Sequence, residues 1–123
     1  MAKIAVVEDN DAMREQLCGF IAQYARESGR QLDVTAFADG AEIVDPYRPG
    51  FDIIFLDIEM PTLGGMPTAE RIRQVDPDVV LVFVTNMAQY AIRGYEVDAL
   101  DFVLKPVSYY QFSTKLERAL QRI

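Results

Sequence analysis

Short apolar runs and amphipathic stretches alternate five times along this chain, which leaves few ways for it to fold. Lys3 to Val7, Leu32 to Phe37, the run Phe51-Asp52-Ile53-Ile54-Phe55-Leu56 ahead of Asp57, Val79 to Val84, and Ala99 to Leu104 read as strands. The first, third and fourth are almost continuously apolar, as strands covered on both faces are. After Glu8-Asp9-Asn10-Asp11, the residues Met13, Leu17, Phe20, Ile21 and Tyr24 recur at helical spacing, with Asn10 or Asp11 available as a cap and Ser28-Gly29 as the stop. Ala41, Ile43 and Val44 predict a short helix cut off by Asp45-Pro46. Met66-Pro67 opens a third helix through Ala69, Ile72 and Val75, ended by Asp76-Pro77. Ala88 to Gly94 predicts a short fourth helix, and Phe112, Leu116, Ala119, Leu120 and Ile123 share one face of a fifth, terminal one.

Regular alternation of this kind predicts an α/β fold with a parallel sheet and helices on both faces. Right-handed crossovers favour a doubly wound, flavodoxin-like sheet of five strands in the order 2-1-3-4-5, with residues 1–123 forming one domain. Half of the residues are hydrophobic and a quarter charged, enough apolar material for a core without staples. The net charge of -7 gives no electrostatic footprint for nucleic acid, so direct DNA binding by this segment is not expected. With no histidine and one cysteine, disulfide frameworks, Cys/His zinc sites and histidine bases are excluded, and any metal must be held by oxygen. Cys18, beside Leu17 and Ile21, is expected to be buried and inert. No run approaches the roughly 20 apolar residues that span a bilayer, and the expected location is the reducing cytoplasm.

In the order 2-1-3-4-5, strands 1, 3, 4 and 5 are neighbours, and their carboxyl ends carry Glu8-Asp9, Asp57, Thr85 and Lys105. In open parallel sheets that edge is where ligands bind. Three carboxylates gathered there repel by about 1 to 4 kcal/mol per pair, a cost that a divalent cation removes. Magnesium prefers hard oxygen donors and accepts few protein carboxylates. Asp9 and Asp57 are the better side-chain ligands, Glu8 can act through water, and the Glu59 backbone carbonyl can turn back towards the ion. Lys105 and Thr85 offer a positive charge and a hydroxyl to phosphoryl oxygens, leaving Asp57 as the nucleophile of an acyl-phosphate reaction. Gly64-Gly65 has the wrong spacing for a P-loop, so a donor must bring its phosphate already positioned.

Taken singly, each residue has a plainer reading. The acidic run can cap a helix, Asp57 can be a turn residue, Thr85 a cap, Lys105 a surface charge and Phe102 core. Tyr109, Tyr110 and Phe112 read as packing or a dimer surface. The combination at four adjacent strand ends favours the chemical reading.

With Glu8-Asp9, Leu56-Asp57-Ile58-Glu59-Met60-Pro61, Gly65, Thr85 and Lys105-Pro106 in place, the chain from Lys3 to Ile123 resembles a response-regulator receiver domain of two-component signalling. The resemblance implies phosphorylation of Asp57 by a partner sensor histidine kinase, Mg2+ bound through Asp9, Asp57 and the Glu59 carbonyl with Glu8 beside them, and phosphate contacts from Thr85 and Lys105. It implies a regulatory phosphoacceptor rather than an enzyme, and a cis peptide before Pro106. Thr85 and Phe102 become switch residues. The face of the fourth helix, fifth strand and fifth helix becomes an output surface through which a homodimer could form. The stretch from Tyr90 to Phe102 resembles receivers that precede LytTR-type DNA-binding domains, which implies transcriptional output through a part outside this chain. Asn86, where a small residue is commoner, bears on access to Asp57, and Pro67 on packing of the third helix. Two other classes compete: a phosphohydrolase of the haloacid-dehalogenase type, and an interaction module that has lost phosphoryl transfer.

Overall fold

The computed structural model describes residues 1–123. Five strands, β1 (Ala2–Val7), β2 (Leu32–Phe37), β3 (Ile53–Leu56), β4 (Val80–Thr85) and β5 (Asp101–Leu104), form one parallel sheet in the order β2-β1-β3-β4-β5. This is the expected doubly wound fold. Its α-helices are α1 (Asp11–Ser28), α2 (Gly40–Val44), α3 (Gly65–Val75) and α4 (Tyr109–Leu120).

Parity along the strands divides the core into two layers. Ile4, Val6, Ile53, Phe55, Val82 and Val84 pack with Leu17 and Ile21 of α1 and Phe112 and Leu116 of α4. Ala5, Val7, Ile54, Leu56, Leu81 and Phe83 pack with Ile43 of α2 and Met66, Ala69 and Ile72 of α3 on the opposite face. All four residues of β3 are buried, each side chain contributing about 1.5 to 3 kcal/mol by removal from water. That makes the central strand a stiff mount for whatever follows Leu56.

Local chemistry sets the helix ends. Asn10, not Asp11, caps α1, its Oδ1 accepting from Met13 N–H at 2.9 Å. Ser108 and Gln111 form a reciprocal capping box at the start of α4. The peptide before Pro106 is cis as expected, and that before Pro46 is cis as well.

Several details differ from the sequence reading. The expected fourth helix over Ala88–Gly94 is two 3-10 segments, Ala88–Tyr90 and Ile92–Val97. β5 starts at Asp101 rather than Ala99. Val75 is 57 % exposed on the last turn of α3, and Ile123 lies beyond the end of α4 and is 54 % exposed, so neither joins its predicted buried face. Cys18 is half-buried against the α1 layer, and burial raises its thiol pKa, which disfavours the reactive thiolate. Tyr109 is half-buried, Phe112 fully buried and Tyr110 exposed. No helix is long and apolar enough to cross a membrane.

Candidate functional site

The sheet ladder runs one residue past the ends of its central strands and delivers the acidic groups to one place. Glu8 N–H donates to Phe37 O and Asp57 N–H to Val7 O, both at 3.0 Å. On the other side of β3, Lys105 N–H donates to Thr85 O at 2.9 Å. Carboxylate oxygens of Glu8, Asp9 and Asp57 consequently lie within 4.8 Å of one another.

Burial grades the three acids. Glu8 is 1 % and Asp57 6 % exposed, whereas Asp9 stands open to solvent at the rim. Asp57 Oδ1 accepts from Ile58 N–H at 2.8 Å, which leaves Oδ2 facing the Lys105 ammonium at 3.5 Å. Lys105 Nζ sits closer to Glu8 Oε1, at 2.7 Å. Glu8 Oε1 accepts from that ammonium in a charge-assisted hydrogen bond, while Glu8 Oε2 accepts from Asn10 N–H at 3.1 Å. Burial, then the charge of Glu8, pushes the Asp57 carboxyl up to about 7, against the pull of Lys105. Burial alone would lower the Lys105 pKa, but Glu8 and Asp57 outweigh it and hold the ammonium above its ordinary value.

These groups fit a divalent cation. Ionised Glu8, Asp9 and Asp57 carry three negative charges and Lys105 returns one positive, leaving two negative charges around a set of hard oxygen donors. Glu59 is exposed on the loop after β3 and shares a cleft with Asp9, Met60 and Pro61. Gly65, at the start of α3, closes the same loop through its N–H to Ile58 O at 2.7 Å. A Cβ there would collide with the Asp57 carbonyl oxygen and stand 2.9 Å from Ile58 Cα, so only glycine permits this approach.

Thr85 is buried at the end of β4, where its Oγ1 accepts from Met87 N–H at 3.0 Å. Asn86 is exposed and lines, with Asn10 and Lys105, an open cleft between the first turns of α1 and the site. Phe102 is half-buried and packs, as Tyr90 and Ala99 do, against the α3 layer. Arg14 was not foreseen. Its guanidinium donates to Glu8 O at 3.0 Å and pairs with Asp11 at 2.6 Å, fixing the peptide that joins Glu8 to Asp9. The i,i+3 pair with Asp11 is visible in the sequence, but the contact with the Glu8 carbonyl is not.

Residues 4–117 match the sequence model for the response regulator receiver domain. Among curated relatives, the sensory transduction protein LytT of Oceanobacillus iheyensis is 31% identical over 94% of this chain and 46% of its own length. The transcriptional regulatory protein BtsR of Escherichia coli is 32% identical over 100% of this chain and 48% of its own. The chain thus spans about half the length of the curated relatives it matches. The response regulator TrrA of Thermotoga maritima, solved in complex with Mg(2+)-BeF, superposes with a TM-score of 0.78 at 25% identity, covering 97% of this chain and 99% of that one.

Proposed function

The chain belongs to the response regulator receiver domain family of two-component signalling, and from that premise we propose that it is a switch phosphorylated on Asp57. The observation that carries this reading is the meeting of Glu8, Asp9 and Asp57 beside Lys105. An Asp57 carboxylate oxygen attacks the phosphorus of a phosphohistidine on a sensor kinase, or of a small acyl phosphate. The P–O bond to Asp57 forms as the bond to the donor breaks, and the departing group keeps the electron pair. Asp9, Asp57 and the Glu59 carbonyl would hold Mg2+, with Glu8 acting through water, and the ion would supply neutralising charge for the phosphoryl oxygens. Lys105 orients those oxygens by its charge, and buried Ile58 N–H fixes the rotamer of Asp57.

Phosphorylation replaces one negative charge by nearly two and adds three acceptor oxygens. Thr85 leaves the Met87 N–H to donate to one of them, and Phe102 repacks into the space released behind it. That motion reaches the face formed by the second 3-10 segment, β5 and α4, where Ile92, Tyr95, Leu104 and Tyr110 are exposed, a surface suited to a homodimer. Similarity to LytT and BtsR supports transcriptional output through a DNA-binding part outside these residues, in the cytoplasm. The net charge of -7 argues against nucleic-acid binding by this segment itself.

Intact-mass measurement after incubation with acetyl phosphate and Mg2+ tests the reading. One phosphoryl adduct that disappears with EDTA or with Asp57→Asn is expected. An adduct that survives either change, or sustained turnover of phosphate monoesters, overturns it.

A further inference from the structure

Resting on that reading of the site, we propose that Asp39, at the turn between β2 and α2, is a positioning residue whose carboxylate clamps the loop carrying the Glu59 carbonyl. Asp39 does not touch the acidic cluster. Its Oδ1 accepts from Ala41 N–H at 3.0 Å, capping α2, and from Leu63 N–H at 2.9 Å. Its Oδ2 accepts from Thr62 N–H at 3.0 Å. Both oxygens of one half-buried side chain therefore hold consecutive amides 23 and 24 positions away.

The neighbouring residue is fitted to the same loop. A Cβ on Gly40 would collide with Thr68 Oγ1 and lie 2.6 Å from Leu63 O, so the turn approaches the loop as closely as a backbone without a side chain allows. Thr68 in turn donates its hydroxyl to Gly64 O at 2.8 Å. The loop after Asp57 thus has two anchors, Gly65 N–H on Ile58 O at its inner end and Asp39 on Thr62 and Leu63 at its outer end. The span between them is Glu59, Met60 and Pro61. With both ends held, the direction of the Glu59 carbonyl is set before any cation arrives; with the outer end free, ordering the loop must be done at the expense of binding. Groups that orient a metal ligand from behind typically govern affinity by 10-fold or more.

The two oxygens make the claim graded. Asp39→Asn keeps one acceptor, enough for Ala41 and Leu63, but turns an NH2 towards Thr62 N–H, whereas Asp39→Ala removes both acceptors. Mg2+ is titrated calorimetrically into the unsubstituted chain and both variants, with thermal unfolding in EDTA and amide exchange at Thr62 and Leu63 followed in parallel. Asp39→Ala is expected to bind Mg2+ about 10-fold more weakly, with Asp39→Asn between it and the unsubstituted chain. Thr62 should exchange faster in both variants and Leu63 chiefly in Asp39→Ala. Labelling of Asp57 by acetyl phosphate should regain the unsubstituted rate at saturating Mg2+, which a general loss of folding would not allow. Unchanged Mg2+ affinity in a folded Asp39→Ala overturns the clamp and leaves the phosphoacceptor reading standing. Failure of the unsubstituted chain to bind Mg2+ overturns both.

Discussion

Asp57 carries opposing demands. Its side chain is buried, shares its pocket with Glu8 and is answered by a single ammonium, so the metal-free site is under electrostatic strain. Replacing it with the isosteric amide removes that charge while the Ile58 N–H keeps an acceptor. Asp57→Asn is therefore expected to stabilise the metal-free chain by about 1 to 2 kcal/mol in urea denaturation. Saturating Mg2+ should narrow the gap, because binding stabilises the aspartate form selectively. A less stable Asp57→Asn in EDTA would contradict the strain. Asp39 is the reverse case. Burial pushes its carboxyl up, but the N–H groups of Ala41, Thr62 and Leu63 outweigh that and hold it below the usual carboxylate range. An acid whose folded pKa is depressed adds stability that is present above its unfolded pKa and is lost as pH falls through the folded one. The melting-temperature gap between the unsubstituted chain and Asp39→Ala should thus be widest near neutrality and close as pH falls below the ordinary aspartate range. A gap that does not change over that range would mean that charge plays no part in the clamp.

At the scale of elements, the segment between β4 and β5 shows where sequence periodicity stops being informative. Ala88 to Gly94 carries too weak a pattern to specify a helix, and the chain takes two 3-10 segments. They are held from a distance. Arg73 on α3 donates to the carbonyls of Val97 at 2.7 Å and Asp98 at 3.0 Å, and also to those of Val79 at 2.6 Å and Pro77 at 3.1 Å. Asp98 has a φ of 53°, so the exit from the second segment is in the left-handed region and gains from being fastened. Arg73→Ala is expected to destabilise by roughly 1 to 3 kcal/mol and to speed amide exchange from Gly94 to Ala99. Arg73→Lys should not restore either, since a single ammonium cannot reach the carbonyls of both segments, Pro77–Val79 and Val97–Asp98, at once. Equal stability of Arg73→Lys and the unsubstituted chain would contradict the clasp. The strands, by contrast, were readable because burial on both faces demands continuous apolar runs, as in Ile53 to Leu56 and Val80 to Val84. Helix ends such as Val75 and Ile123 were not, since periodicity continues in the sequence after the core has run out.

Across the whole molecule, the sheet order converts positions far apart in sequence into one site. Glu8, Asp57 and Lys105 each follow a strand and Thr85 ends one, and β1, β3, β4 and β5 are consecutive in the sheet, so their convergence could be inferred before any coordinates. The contacts of Arg14 with Glu8 O, of Asp39 with Thr62 and Leu63, and of Arg73 with Val97 could not, because each is made to backbone groups, which a sequence does not display. Everything depends on the acidic groups acting jointly on one cation. Crystals soaked in Mn2+, a hard divalent substitute for Mg2+, locate that cation by anomalous diffraction. The account predicts one strong peak within ligand distance of Asp9, Asp57 and the Glu59 carbonyl oxygen. A peak bound elsewhere on the acidic surface, with nothing between Asp9 and Asp57, would contradict it.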